Sequence, residues 1–203
     1  MRGSAEIALQ TDSEIPQREA LADCIEESDR VLTMLNTLMD ITEAEHGMMR
    51  LHRERKSVSG LLESVLEVYR LVADEKKIEI TSHCDGPCDA EVDPSRIQQA
   101  LANLLDNAVK YTGEHGRVSV ECSSSNDTVW VKIKDDGVGI PVAEQPRIWD
   151  RLYRGDKSRG QRGLGLGLSL VKAVVEAHGG RVSVQSTEGA GAEFTVSLPV
   201  SCR

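Results

Sequence analysis

Four stretches of this chain combine residue types that together could handle a phosphate-bearing ligand. Asn103, Asn107, Lys110 and Tyr111 are spaced by four, three and one, which places them on or near one face of a helix. Asparagine is a poor helix former, so two of them among leucines need a reason. Either the amides bridge neighbouring backbone groups, or an amide oxygen ligates Mg²⁺ beside a lysine that pairs with phosphate, since hard cations take oxygen ligands. Asp135 stands just before Gly137 and Gly139. A carboxylate there can accept from an exocyclic amine, while the two glycines let a flat base approach the backbone. Arg151, Arg154, Lys157 and Arg159 lie in a basic, glycine-rich stretch, residues 151–163, that reads as a mobile loop. They would either close over a polyphosphate or simply be solvated. Gly163, Leu164, Gly165, Leu166, Gly167 and Leu168 then run into an apolar periodic segment that reads as a helix. Their N–H groups would sit at its positive end, a site for phosphate oxygens. The alternative is a close-packed helix entry.

The elements that must position these residues follow from periodicity. Residues 17–45 predict one long helix with two apolar stripes, Leu21/Ile25/Leu32/Leu35/Met39 and Cys24/Val31/Met34/Leu38/Ile41. At about 45 Å it is too long for one small core to cover, so a dimeric bundle formed with a helix at residues 1–10 is expected. Gly47 ends it, and residues 48–55 read as extended. Ser57 caps an amphipathic helix carrying Leu61, Leu62, Val65, Leu66, Val68 and Leu71. Residues 77–81 and 90–92 read as strands. Asp93 and Pro94 start the helix that bears the asparagines, with Asp93 as N-cap. Strands are expected at 117–123 and 128–134 around an Asn126-Asp127 hairpin turn, and two more at 181–186 and 193–198. The fold class is therefore α+β: an N-terminal helical hairpin remnant, then a two-layer sandwich with a mixed, largely antiparallel sheet and helices on one face. The expected domains are 1–47, part of a helical bundle, and 48–203, the sandwich.

Composition narrows the function. The chain has 203 residues, 39% hydrophobic and 28% charged, with a formal net charge of −9, which argues against a nucleic-acid surface. No apolar run approaches the roughly 20 residues of a membrane helix and no signal peptide opens the chain, so any membrane attachment would lie elsewhere. Five scattered cysteines read as reduced thiols. His83, Cys84 and Cys88 lack a second pair to complete four zinc ligands, and the stretch reads as a surface turn around Asp85-Gly86-Pro87.

Taken together, and in this order, the stretches resemble the ATP-binding domain of bacterial sensor histidine kinases, within the superfamily that includes type II topoisomerase and MutL ATPases. Residues 103–112 (NLLDNAVKYT) match the N box, 135–140 (DDGVGI) the first glycine box, 148–154 (IWDRLYR) the F box and 163–168 (GLGLGL) the second glycine box. Residues 17–47 are similar to the second helix of the family's dimerisation and phosphotransfer bundle, and residues 1–10 to the end of its first helix.

The resemblance implies roles for particular residues. Asn107 would ligate Mg²⁺ with Asn103 lining the same site, Lys110 would meet the phosphates, and Tyr111 would pack near the nucleoside. Asp135 would bind the adenine amine in a pocket shaped by Gly137, Gly139 and Ile140. Arg154 and Lys157 would reach the phosphates from a lid, and the backbone of Gly163, Leu164, Gly165, Leu166, Gly167 and Leu168 would hold them. Trp149 and Leu152 stand where the F box usually has phenylalanine, and Leu164 where a small hydroxyl residue is common. Hydrolysing relatives carry a glutamate at the position of Asn103, and an amide cannot take a proton from water. The implied reaction is transfer of the γ-phosphoryl of Mg-ATP to a histidine and onward to a response regulator. The implied assembly is a homodimer, cytoplasmic or the cytoplasmic portion of an inner-membrane sensor. None of His46, His52, His83, His115 or His178 is followed by the Arg-x-Pro that marks the phosphoacceptor. The expectation is a truncated kinase core that binds nucleotide without autophosphorylating; a dimeric scaffold with a lapsed pocket is the rival.

Overall fold

The computed structural model describes the backbone of residues 14–155 and 164–201, and within those ranges the side chains from Leu21 onward. The chain divides into two compact units, the first ending at Met39 and the second starting at Asp40.

The first unit is most of helix α1 (Glu14–Glu45). Of its apolar stripes, Leu21, Ile25, Val31, Leu32, Leu35 and Met39 are exposed, while Cys24, Met34 and Leu38 are half-buried. Hydroxyls of Ser28, Thr33 and Thr37 fold back onto carbonyls one turn earlier, so these polar residues sit in the helix without breaking it. No helix among the described residues is long and apolar enough to cross a membrane.

The second unit begins with the last turn of α1, where Ile41 is buried. Gly47 takes a φ of +67°, and Met48 N–H reaches back 2.7 Å to the Glu43 carbonyl, which closes the helix end. Strand β1 (Glu54–Ser57) pairs antiparallel with β3 (Asp89–Val92) as a separate two-stranded sheet. Helix α2 (Val58–Glu75) is capped by Ser57, whose hydroxyl accepts from Gly60 N–H. It buries Val58, Leu62, Val65, Leu66 and Ala73. Val68 and Leu71 were expected on that stripe but are exposed, because they lie off the line of these buried positions.

Helix α3 (Pro94–Tyr111) buries Ile97, Leu101, Leu104, Leu105 and Ala108, each full side-chain burial contributing about 1.5–3 kcal/mol for the larger residues. Its start is built from three segments. Asp93 caps it, accepting from Arg96 N–H at 3.2 Å and His52 N–H at 2.9 Å, while the Asp93 N–H donates to His178 Nε2 at 3.0 Å. His178, which closes helix α4 (Gly167–Ala177), directs Nδ1 at the Val174 carbonyl. It is a buried pin joining α4 to α3.

The main sheet has the order β2-β4-β5-β7-β6, from β2 (Glu79–Cys84), β4 (Arg117–Ser125), β5 (Thr128–Asp135), β6 (Arg181–Ser186) and β7 (Ala192–Pro199). β2 runs parallel to β4 and every other pair is antiparallel. Along β5, Val129, Val131, Ile133 and Asp135 are buried while Trp130, Lys132 and Lys134 are exposed, so the helices cover one face only. Asn126 and Asp127 both adopt positive φ, as the tight β4–β5 hairpin requires. β2 starts later than the Lys77–Thr81 expectation and extends to Cys84. Lys77 is left-handed at φ +56°, and the Ile78 side chain is spent on the core before pairing begins.

Candidate functional site

The second half of α3 presents Asn103, Asn107, Lys110 and Tyr111, all half-buried. Asn103 Nδ2 donates to the Gln99 carbonyl at 2.8 Å, which leaves its amide oxygen free of that bond. The Asn107 side chain has no hydrogen-bond partner among the described residues. The Lys110 ammonium lies 5.1 Å from the centre of the Tyr111 ring. Lys76, absent from the sequence reading, donates to the Val109 carbonyl at 2.9 Å and so holds the end of α3.

Asp135 closes β5 with its side chain buried, and its Oδ1 accepts from Gly137 N–H at 2.9 Å. Burial pushes its carboxyl pKa up, and Asp136 adds to this, against the opposing hydrogen bonds from the Gly137 and Ala192 backbone. The glycine turn that follows is fixed by close backbone contacts. A Cβ on Gly137 would lie 2.3 Å from the Tyr111 carbonyl oxygen. Gly139 sits at φ +65°, and its Cβ would fall 2.0 Å from the Thr187 carbonyl oxygen. Ile140 N–H donates to Ser186 Oγ at 2.8 Å, and Gln145 Nε2 reaches both the Ile140 and Ser186 carbonyls, at 3.0 and 2.8 Å. Ser186 and Gln145 were not found from sequence, because they lie at the end of β6 and in the 141–153 segment and meet the turn only in three dimensions.

In the F-box segment Trp149 packs edge-on against Phe194 of β7, ring centres 6.0 Å apart. Leu152 is left-handed at φ +59°. Arg151 pairs with Glu45 and with the Thr42 hydroxyl at the end of α1. That guanidinium was a candidate for closing over a polyphosphate, but here it anchors the segment instead. Arg154 is half-buried, while Lys157, Arg159 and Gly163 lie outside the described residues. Gly165 is at φ +71° with a Cβ position 2.5 Å from the Tyr153 carbonyl oxygen, and that of Gly167 is 2.7 Å from Asn103 Oδ1. Leu164 is exposed, Leu166 buried and Leu168 half-buried. Leu166, the N-cap residue of α4, makes no side-chain cap hydrogen bond.

These contacts close a ring. The first glycine turn meets the end of α3 through Gly137 and Tyr111, and α3 meets the second glycine stretch through Asn103 and Gly167. That stretch meets the F-box segment through Gly165 and Tyr153, and the segment returns to the first turn through Gln145 and Ile140. Four stretches within residues 103–168 are thus joined in one ring, which brings together the buried Asp135 carboxylate, the Asn103 amide and the start of α4.

Residues 92–201, more than half of the chain, match the family of histidine kinase-, DNA gyrase B-, and HSP90-like ATPases. The chain belongs to that family. ATP is the nucleotide of these ATPases. The circadian input-output histidine kinase CikA of Thermosynechococcus vestitus is 36% identical over 188 residues, 90% of this chain and 26% of CikA. Sensor histidine kinase WalK of Bacillus subtilis is 30% identical over 177 residues, 85% of this chain and 29% of WalK. Among solved structures, full-length ShkA in complex with AMPPNP superimposes with a TM-score of 0.81 at 28% identity, over 99% of this chain and 42% of ShkA. The chain spans under a third of the length of the curated relatives it matches.

Proposed function

We propose that this chain is the ATP-binding catalytic core of a two-component sensor histidine kinase, which delivers the γ-phosphoryl of Mg-ATP to a histidine and thence to a response regulator. The observation that carries the reading is the closed ring joining Asn103 and Tyr111 of α3, the Asp135 turn and the start of α4. The Asp135 carboxylate accepts from the adenine amine, and its ties to Gly137 and Ala192 aim it. Gly137, Gly139 and Ile140 present bare backbone to the base, with Tyr111 alongside. Lys110, Arg154, Lys157 and the amides of Gly163, Leu164, Gly165, Leu166, Gly167 and Leu168 hold the phosphates. The amide oxygens of Asn107 and Asn103 fit a hard cation: the Asn107 side chain has no partner among the described residues, and the Asn103 bond to Gln99 uses only the amide nitrogen. Mg²⁺ bound there supplies charge neutralisation on the transferring phosphoryl group. Asn103 cannot deprotonate water, which favours transfer over hydrolysis. The chain's share of the reaction is therefore positioning and charge complementation.

The names of CikA and WalK, and the AMPPNP held by ShkA, support a kinase rather than another member of the family. The phosphoacceptor is a histidine outside the five in this chain, the response regulator supplies the receiving aspartate, and the apolar stripes of α1 pair with a second copy. The domains are the bundle segment 1–47 and the catalytic domain 48–203. Titration with ATP tests the reading. Saturable binding by the wild type, lost in Asp135→Asn, is the expected result, and equal binding by both proteins would overturn it.

A further inference from the structure

Three thiols meet on the helix-covered side of the sheet, in a place the nucleotide reading does not use. Cys84 is the last residue of β2, the edge strand, and faces Cys122 of β4 in parallel register. Neighbouring strands lie about 4.8 Å apart, inside the Cα separation of about 4.4–6.8 Å that a disulfide spans. Register partners project to the same face, so Cys84 and Cys122 lie on the same side of the sheet, and both Cys84 and Cys88 act on the Cys122 thiol electrostatically. Access is graded. Cys84 is exposed, whereas Cys122 and Cys88 are buried. Cys88 follows the 85–87 turn and donates its thiol to the Gly86 carbonyl at 3.7 Å. The turn is held against β4 by Asp85 N–H, which donates to the Cys122 carbonyl at 2.8 Å.

We infer that Cys84 and Cys122 are a reversible dithiol–disulfide pair, Cys84 as the entry thiol and Cys122 as the resolving thiol, with a small-molecule disulfide as oxidant. Cys84, as thiolate, attacks one sulfur of the small disulfide. That S–S bond breaks and one small thiol departs with a proton. Cys122, as thiolate, then attacks Cys84 Sγ, the mixed disulfide breaks, and a second small thiol departs with a proton. Two electrons and two protons have passed from the pair to the oxidant, and β2 is covalently joined to β4. Burial, then Cys88 and the carboxylates of Glu63 and Asp85, push the Cys84 thiol up, and burial with the neighbouring thiols pushes Cys122 up further. The thiolate is therefore scarce and exchange slow, which suits a pair that follows the standing redox poise rather than a brief pulse of oxidant. Cys88 is too enclosed to start the reaction.

The test equilibrates the full chain with graded mixtures of reduced and oxidised glutathione, alkylates the remaining thiols, and maps cross-linked peptides by mass spectrometry. The wild type should lose Cys84 and Cys122 together from the alkylated pool, as one peptide pair lighter by two hydrogens and restored by dithiothreitol. The disulfide fraction should climb from a tenth to nine tenths over about a hundredfold change in oxidised glutathione relative to the square of the reduced form. Cys122→Ala should stop at a glutathione adduct on Cys84. Cys84→Ser, altered only at an exposed position, should leave Cys122 fully alkylated after denaturation, and this variant carries the test even if Cys122→Ala does not fold. A wild type that stops at the Cys84 adduct, or that cross-links through Cys24, Cys88 or Cys202 instead, overturns the proposal.

Discussion

Three glycines near the site separate two physical requirements that usually come together, and alanine at each makes a graded prediction. Gly113 has no atom within 4 Å of a built Cβ and no positive φ, so alanine there meets neither a contact nor strain. Gly137 has the contact alone: its Cβ would lie 2.3 Å from the Tyr111 carbonyl oxygen, where real Cβ atoms stay beyond about 3.0 Å. Gly139 has both, a φ of +65° and a Cβ position 2.0 Å from the Thr187 carbonyl oxygen, so the turn and the β6–β7 connection must part by about 1 Å. Forcing an L-residue into the left-handed region costs about 1–2 kcal/mol, and overpacking costs about 1–3 kcal/mol. Gly139→Ala should therefore lose about 2–5 kcal/mol and Gly137→Ala about 1–3 kcal/mol. Gly113→Ala should be neutral or gain about 0.4–1 kcal/mol from a less flexible unfolded chain. Urea denaturation measures the stabilities and calorimetric titration measures ATP binding. A displacement of about 1 Å beside the base should weaken ATP on the order of a hundredfold in Gly139→Ala, with little change in Gly113→Ala. If Gly139→Ala matched Gly113→Ala in both stability and affinity, the idea that backbone contact shapes this pocket would be refuted.

Two buried titratable groups give further predictions. Burial raises the Asp135 pKa above its unfolded value, near 4, so the carboxylate's penalty is absent below that value and grows as pH rises through the folded pKa. Asp135→Asn should therefore be more stable than wild type at pH 7 and lose that advantage near pH 4, read by urea melts at both pH values. Burial lowers the His178 pKa, reinforced by the charge of Arg53 and opposed by the Val174 bond and Asp93. The stability it gives as a neutral ring is present above about pH 6.5 and is lost as pH falls toward the folded value. His178→Phe should remove that slope while costing about 1–3 kcal/mol, because the buried Asp93 N–H loses its acceptor. A slope unchanged in the variant would show that another group titrates.

The parts of the fold legible in the sequence were those fixed by local chemistry. Asp93 and Pro94 announced the start of α3, Asn126-Asp127 the hairpin, and Val129/Val131/Ile133 the buried face of β5, because caps, primed turns and period-two alternation act over a few residues. The four motif stretches were legible for the same reason. What escaped depends on contacts between distant segments. β1 is Glu-Arg-Lys-Ser, exposed throughout, and only its pairing with β3 makes it a strand. Ser186 and Gln145 are unremarkable until the Ile140 backbone comes within reach. Arg151 reads by residue type as a phosphate-closing or solvated cation until Thr42, 109 residues away, engages it, and the bond from Asp93 to His178 spans 85 residues.

The most direct test of the account is calorimetric titration of the wild type and Asn107→Ala with ATP, with and without Mg²⁺. The account predicts tighter ATP binding with Mg²⁺ in the wild type, and an Asn107→Ala protein that folds normally but has lost that Mg²⁺ dependence. Wild-type binding indifferent to Mg²⁺, or an Asn107→Ala variant that keeps the full dependence, would contradict it.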